Sequence, residues 1–293
     1  MSQKPLIIFD TDMDTDCDDA GALLMLINAH LANEITLLGV VADSNSEFAA
    51  PFCKEVLKYY NLDIEVAEIY AKSEHINTLT NYLEHQKACE DVAYNKMLSK
   101  RKEKIQDSVG FYHKTLKNAP DNSVTIVCVG MLSAIYEAMK KDCNLFKVKV
   151  KEIIVMGNPY KQNDFNFSMD AKSTKGFFEI CPCPVYISYL GSDIITGNLL
   201  TQSKKPSHPV RKAYEIWTSG KGRSSWDLIA TLFALNKKRA LFNVSSGCLL
   251  SYNEIEKTTT ISQNGTRDKI LTLNCTNKEM EDLLNKMLSA TFD

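Results

Sequence analysis

Short apolar, β-branched runs recur along the chain at Leu6 to Phe9, Ile35 to Ala42, Val124 to Val129, Ile153 to Met156 and Val185 to Tyr189, with a weaker one at Ile64 to Tyr70. Between them lie stretches with helical periodicity, Ala20 to Ala29, Phe48 to Tyr60, Leu132 to Lys141 and Lys172 to Glu179. Strands that alternate with helices join into βαβ units, so the expected fold is α/β: a mostly parallel central sheet flanked by helices. Two segments break the rhythm. Residues 72–118 are polar and rich in Lys and Glu, and are expected to be helical and partly to cover the sheet's edge. Residues 242–275 read as a small β-rich C-terminal addition, with Asn264-Gly265 marking a hairpin between Lys257–Ile261 and Lys269–Leu273. A closing helix is expected over Asn277 to Leu288. No internal repeat or Gly/Ser/Pro-rich linker is apparent, so residues 1–293 read as one domain.

Composition excludes several classes of function. The 34 Lys and Arg against 36 Asp and Glu leave a formal charge of -2, which gives no electrostatic reason for nucleic acid or an anionic membrane as partner. No apolar run approaches the roughly 18 residues a spanning helix needs. The opening segment lacks the apolar core and small-residue cleavage site of a secretory signal. Nine cysteines, an odd number with no C-x-x-C pair, read as free thiols of a reducing cytoplasm. The expected location is therefore cytoplasmic.

The first apolar run ends in Asp10-Thr-Asp12-Met-Asp14-Thr-Asp16-Cys-Asp18-Asp19, directly before a small-residue helix start. Carboxylates this crowded repel one another unless a cation or a helix N-terminus offsets the field. Hard oxygen donors at this density favour Ca²⁺ or Mg²⁺ over zinc or copper. An EF-hand loop counted from Asp10 would need Gly sixth and Glu twelfth, where Thr15 and Gly21 stand, so that reading fails. A Mg²⁺-dependent phosphohydrolase also places D-x-D after an apolar strand, with Asp10 as nucleophile and Asp193 as a later acidic residue. In open α/β sheets ligands bind outside the carboxyl ends of the strands, which directs attention to Asp10–Asp19, Asp43–Asn45, Gly130–Ser133 and Gly157–Asn166.

The same stretch resembles the metal-binding opening of the nucleoside hydrolase family, in a form two residues longer than its commonest D-x-D-P-G-x-D-D. The resemblance continues in family order through Val129-Gly130-Met131-Leu132-Ser133, Val155-Met156-Gly157-Asn158, Asp164-Phe165-Asn166 and Ser225-Trp226-Asp227. It covers residues 6 to about 230, and the opening motif is its specific part.

The resemblance implies an enzyme, a ribonucleoside N-glycosidase that releases ribose and free base with a bound Ca²⁺. Carried over by position, the metal ligands are Asp12, Asp19, Asp227 and the backbone carbonyl of Ser133, and Asp12 is the general base. Asp10 orients the loop. Asp18 accepts from a ribose hydroxyl with Asn45 as a further contact, and Asp164, Asn166 and Asn158 meet the ribose 5′ end. Trp226 stands where many members carry a His, which implies a purine-leaning site in which an indole stacks on the base. The implied partner is a small ribonucleoside, and the implied assembly a homodimer or homotetramer. Several positions depart from the pattern: Asp14 for Gly, Met131 for Pro, Ala134 for Asn, Asp164 for Glu and Asn158 for Gly. They keep open a catalytically weak nucleoside- or ribose-binding protein on the same fold, beside the phosphohydrolase.

Overall fold

The computed structural model describes residues 4–44, 46, 48–69 and 105–290. Strand β1 (Leu6–Thr11) lies inside a nine-stranded sheet, with three strands on one side and five on the other. On one side it pairs in parallel with β2 (Thr36–Ala42), then β3 (Val66–Glu68) and β4 (Gln106–Asp107). On the other side follow, also parallel, β5 (Val124–Cys128), β6 (Val150–Met156), β7 (Val185–Ser188) and β13 (Asp268–Leu273). Strand β10 (Phe242–Val244) closes that edge antiparallel to β13. The chain builds outward from β1 in one direction through β4 and then crosses to β5 on the opposite flank. The gap between β1 and β5 is therefore a switch point, where such sheets form a ligand crevice.

Period-two alternation sorts the sheet's side chains into two cores. Ile7 and Phe9 face one of them, with α1 (Asp18–Leu31), α2 (Ala49–Tyr59), α9 (Pro209–Thr218), α10 (Trp226–Ala234) and α11 (Asn277–Ser289). Ile8 faces the other, with α3 (Ser108–Asn118), α4 (Ser133–Lys141), α5 (Cys143–Lys149), α6 (Phe165–Met169) and α7 (Ala171–Ile180). A short α8 (Leu200–Ser203) precedes α9, and the antiparallel pair β8 (Ile195–Thr196) and β9 (Arg223–Ser224) brackets both helices in sequence. Helix α1 is buried from Asp18 to Ala29, all round rather than on one stripe, as its run of Ala, Leu, Met and Ile requires. The strand and helix expectations above fall on these elements. Residues 72–104 of the expected polar helical segment lie outside the described residues.

The C-terminal segment is β-rich, but its pairing differs from the expected hairpin. Strand β12 (Thr258–Ser262) pairs antiparallel with β11 (Leu249–Asn253), not with β13. The turn is at residues 254–257, where Asn253 Oδ1 accepts from the amides of Ile255 and Glu256 and Lys257 takes φ 52°. Neither Asn264 nor Gly265 has the positive φ a type I′ hairpin turn needs. Strand β13 instead extends the main sheet, since β7 offers it a parallel edge. The eight cysteines among the described residues are free thiols, and no described helix is long and apolar enough to cross a membrane.

Candidate active site

A cavity of about 630 Å³ opens at the carboxyl ends of the strands, beside the switch point. This is ample for a small-molecule ligand. Asp12, Asp18, Asp19 and Asp227 line it, and all four are at most 5% exposed. Asp12 follows the last residue of β1, Asp18 and Asp19 form the first turn of α1, and Asp227 lies in the first turn of α10. Oxygens of Asp18, Asp19 and Asp227 come within 4.8 Å of one another. The Asp227 amide donates to Asp18 Oδ2 at 3.1 Å, which ties the two helix starts together across 209 residues.

Both helix N-termini offset part of this negative charge. The carboxyls remain far from their ordinary state. Burial raises Asp12 to about 7, against hydrogen bonding from Thr15, whose Oγ1 donates to Asp12 Oδ2 at 2.9 Å. Burial, then neighbouring carboxylates, hold Asp18, Asp19 and Asp227 well above the usual range. The Thr11 hydroxyl donates to Asp19. Four inward-facing carboxyls that cannot ionise together without help have the chemistry of a hard-cation site.

Two glycines permit this geometry. A Cβ on Gly130 would fall 2.4 Å from the Asp12 amide and 2.6 Å from its Cβ, so only glycine lets the chain after β5 pass so close to the acidic loop. Gly191 has φ +121°, and a Cβ there would meet Ser225 C and Trp226 N, each at 2.7 Å. Its carbonyl accepts from Ser225 N at 3.0 Å, fixing the backbone just before Trp226.

The remaining expected residues divide. Asn158, Asp164, Asn166 and Trp226 line the cavity. Asp164 caps α6, accepting from Phe167 N at 3.3 Å, and burial raises its carboxyl. Asn166 Nδ2 donates to the Val129 carbonyl at 2.7 Å and to the Met156 carbonyl at 3.3 Å, bridging the ends of β5 and β6. Asn158 Oδ1 accepts from Tyr160 N at 2.9 Å. Asn45 lies outside the described residues.

Ser133 is not among the described lining residues. It is the first residue of α4, and its hydroxyl donates to Asp170 Oδ2 at 2.8 Å. Val129, four residues earlier and just past β5, lines the cavity, and its carbonyl accepts from Asn166 Nδ2. Asp10 is not among the described lining residues either. Its carboxyl accepts from the Tyr112 hydroxyl, and burial raises it to about 8. A carboxyl so enclosed is placed to brace the loop, not to attack a phosphorus atom, which removes the geometry the phosphohydrolase needs.

Sequence reasoning missed Lys161, Leu273, Asn277 and Arg223, which also line the cavity. The Asp16–Arg223 ion pair, with Nε to Oδ2 at 2.8 Å, had one available signal: a lone Arg three residues before the Trp-Asp pair, in a chain with a concentrated acidic loop.

The model of the inosine-uridine preferring nucleoside hydrolase family matches residues 7–271. The chain belongs to that family. Among solved structures it is similar to an inosine-uridine preferring nucleoside hydrolase from Bacillus anthracis, at 14% identity and TM-score 0.75, over 97% of this chain and 99% of that one. A plant nucleoside hydrolase superposes at 15% identity and TM-score 0.76, over 99% and 100%. A purine-preferring ribonucleoside hydrolase from Gardnerella vaginalis does so at 14% and 0.70, over 97% and 98%. A comparison with curated proteins finds no match.

Proposed function

We propose that the chain hydrolyses the N-glycosidic bond of ribonucleosides, purine before pyrimidine, with Ca²⁺ held on the acidic floor of the cavity. The observation that carries this reading is the convergence of buried Asp18, Asp19 and Asp227 oxygens within 4.8 Å, with Asp12 and Trp226 lining the same cavity. The donor set fits a hard divalent ion: all-oxygen, buried, and electrostatically unstable without positive charge. Asp12, Asp19 and Asp227 would hold it, with a backbone carbonyl of the segment after β5, that of Ser133 or of Val129, as a further candidate. When bound, the ion would let the floor ionise and would acidify water beside it.

The chain's own groups do the rest. Asp12, oriented by the Thr15 hydroxyl, takes the proton of the attacking water. Asp18 accepts from a ribose hydroxyl, while Asp164, Asn158 and Asn166 hold the 5′ end. Ionised carboxylates around the sugar stabilise the positive charge that develops on the ring as the bond to the base breaks. Trp226 offers the base a broad π-face, which favours a purine. Asp10 braces the loop through Tyr112.

The test is release of reducing sugar from inosine, guanosine, adenosine and uridine by Ca²⁺-loaded protein. Release from the purine nucleosides ahead of uridine is expected. No release from any of them would end the hydrolase reading, and nucleoside-induced thermal stabilisation without turnover would support the binding protein instead.

A further inference from the structure

Three thiols gather just before β7, at the end of the sheet away from the cavity. Cys181 caps the C-terminus of α7, and Cys183 follows after a single proline. The Cys181 thiol donates to the Cys183 carbonyl at 3.7 Å and the Cys183 thiol to the Phe146 carbonyl at 3.5 Å. The Cys143 thiol, at the start of α5, donates to the Ile180 carbonyl at 3.3 Å. Among the described residues no three thiols have sulfurs within 4.8 Å of one another, so this group is not built to hold a metal ion. Its chemistry lies in the pair. Burial works to raise the Cys181 thiol, but hydrogen bonding from Cys183 and the Arg267 guanidinium bring it below the usual thiol range. The bond to Cys181, then burial, pushes the Cys183 thiol up, and every other described cysteine is raised as well.

Residues two apart have Cα atoms within roughly 7 Å, and a disulfide spans about 4.4–6.8 Å, so the two sulfurs can join with little backbone movement. The fixed φ of Pro182 limits how far they can turn apart. A thiolate is the form that peroxides oxidise, and a neighbouring thiol resolves the product. We propose that Cys181 and Cys183 form a redox site that hydrogen peroxide oxidises to a disulfide, Cys181 attacking and Cys183 resolving. The Cys181 thiolate bonds to one peroxide oxygen, the O–O bond breaks, and the departing hydroxide takes a proton to leave as water. Cys181 is then a sulfenic acid. The Cys183 sulfur attacks it, the S–O bond breaks as the S–S bond forms, and the hydroxide leaves as water with the Cys183 proton. The thiols give up two electrons, and the peroxide is reduced to two waters. Cys181 keeps 5% of its surface exposed, an opening that suits a small oxidant. The site is independent of the riboside reading.

The test treats the native wild type with hydrogen peroxide, unfolds it in iodoacetamide and digests it with trypsin. Residues 176–204 form one tryptic peptide, which carries Cys181 and Cys183 and no other cysteine. After peroxide its mass should fall by two hydrogens and it should take up no iodoacetamide, while dithiothreitol should restore both alkylations. It should react about tenfold or more faster than Cys53, whose thiol burial pushes up. Cys183→Ser should stop Cys181 at the sulfenic acid, which dimedone labels. Cys181→Ser should leave Cys183 open to alkylation. Unchanged circular dichroism would show that the variants fold, and the wild-type peptide decides the disulfide without them. Full alkylation of both cysteines in peroxide-treated wild type would overturn the proposal, as would a bond from either one to Cys143. Oxidation of Cys183 in Cys181→Ser at the wild-type rate would overturn the assigned roles.

Discussion

The floor of the cavity and the wall beside Trp226 are built on opposite principles. The floor is buried carboxyl: Asp12, Asp18, Asp19 and Asp227 sit on a strand tip and two helix starts, where the backbone is rigid and water is scarce. The wall is half-buried and held by side chains, with Arg223 still 34% exposed while it pairs with Asp16. Charge on the floor is in deficit of cations, and charge on the wall is paired. On the function proposed above, such a division would let the floor act on the sugar while the wall meets the base.

The largest expected effect strikes the floor. Asp19→Ala or Asp227→Ala should lower ribose release by about a thousandfold or more, since each removes an ion ligand from the reacting centre, with circular dichroism unchanged. Asp227→Asn sharpens the contrast: it should raise the melting temperature of metal-free protein, because a repelling carboxyl is gone, while the gain on adding Ca²⁺ disappears. Activity retained in either alanine variant would contradict the division.

Acidity should separate the two regions next. Burial raises Asp12 to about 7 and Asp10 to about 8 from an ordinary value of 3.8. A carboxyl raised on folding contributes its stability below the unfolded value and loses it as pH climbs through the folded one. Metal-free protein should therefore be most stable near pH 4 and lose melting temperature between about pH 4 and pH 8. Ca²⁺ should restore more at pH 8 than at pH 5, with a difference on the order of 5 °C. A flat profile in chelator would show that the floor carries no such burden.

Breaking the wall should matter less. Asp16→Ala frees Arg223 and should lower kcat/KM for inosine about fivefold, the scale of one partly exposed ion pair, while Ca²⁺ affinity changes less than about threefold. A loss of Ca²⁺ binding as large as that in Asp227→Ala would mean floor and wall are one unit. The smallest effect belongs to Asp14, which adopts φ 90° in a region that favours glycine. Asp14→Gly removes backbone strain and one negative charge, at the loss of the hydrogen bond from Ser46. It should stabilise the protein by ~0.5 kcal/mol, read as a small rise in melting temperature.

The same division explains what the sequence made legible. Asp12, Asp18 and Asp19 share one strand–loop–helix unit, so local pattern placed them correctly beside each other. Asp227 was recognisable only through the resemblance of Ser225-Trp226-Asp227 to the family's later motif. Which backbone carbonyl after β5 faces the acidic group was not legible, because it depends on where β5 stops and α4 begins, and pattern locates such boundaries poorly. The Asn264-Gly265 hairpin failed for a tertiary reason: the free edge of β7 captured β13. Arg223 and Asp16 lie 207 residues apart, and nothing local to either announces the pair.

Equilibrium dialysis against Ca²⁺ tests the central claim most directly, with wild type and Asp227→Ala measured side by side at pH 8. Wild type should bind one ion per chain, and the variant should bind none at the same free concentration. Failure of the wild type to take up Ca²⁺, or equal uptake by both proteins, would contradict the assignment of the acidic floor.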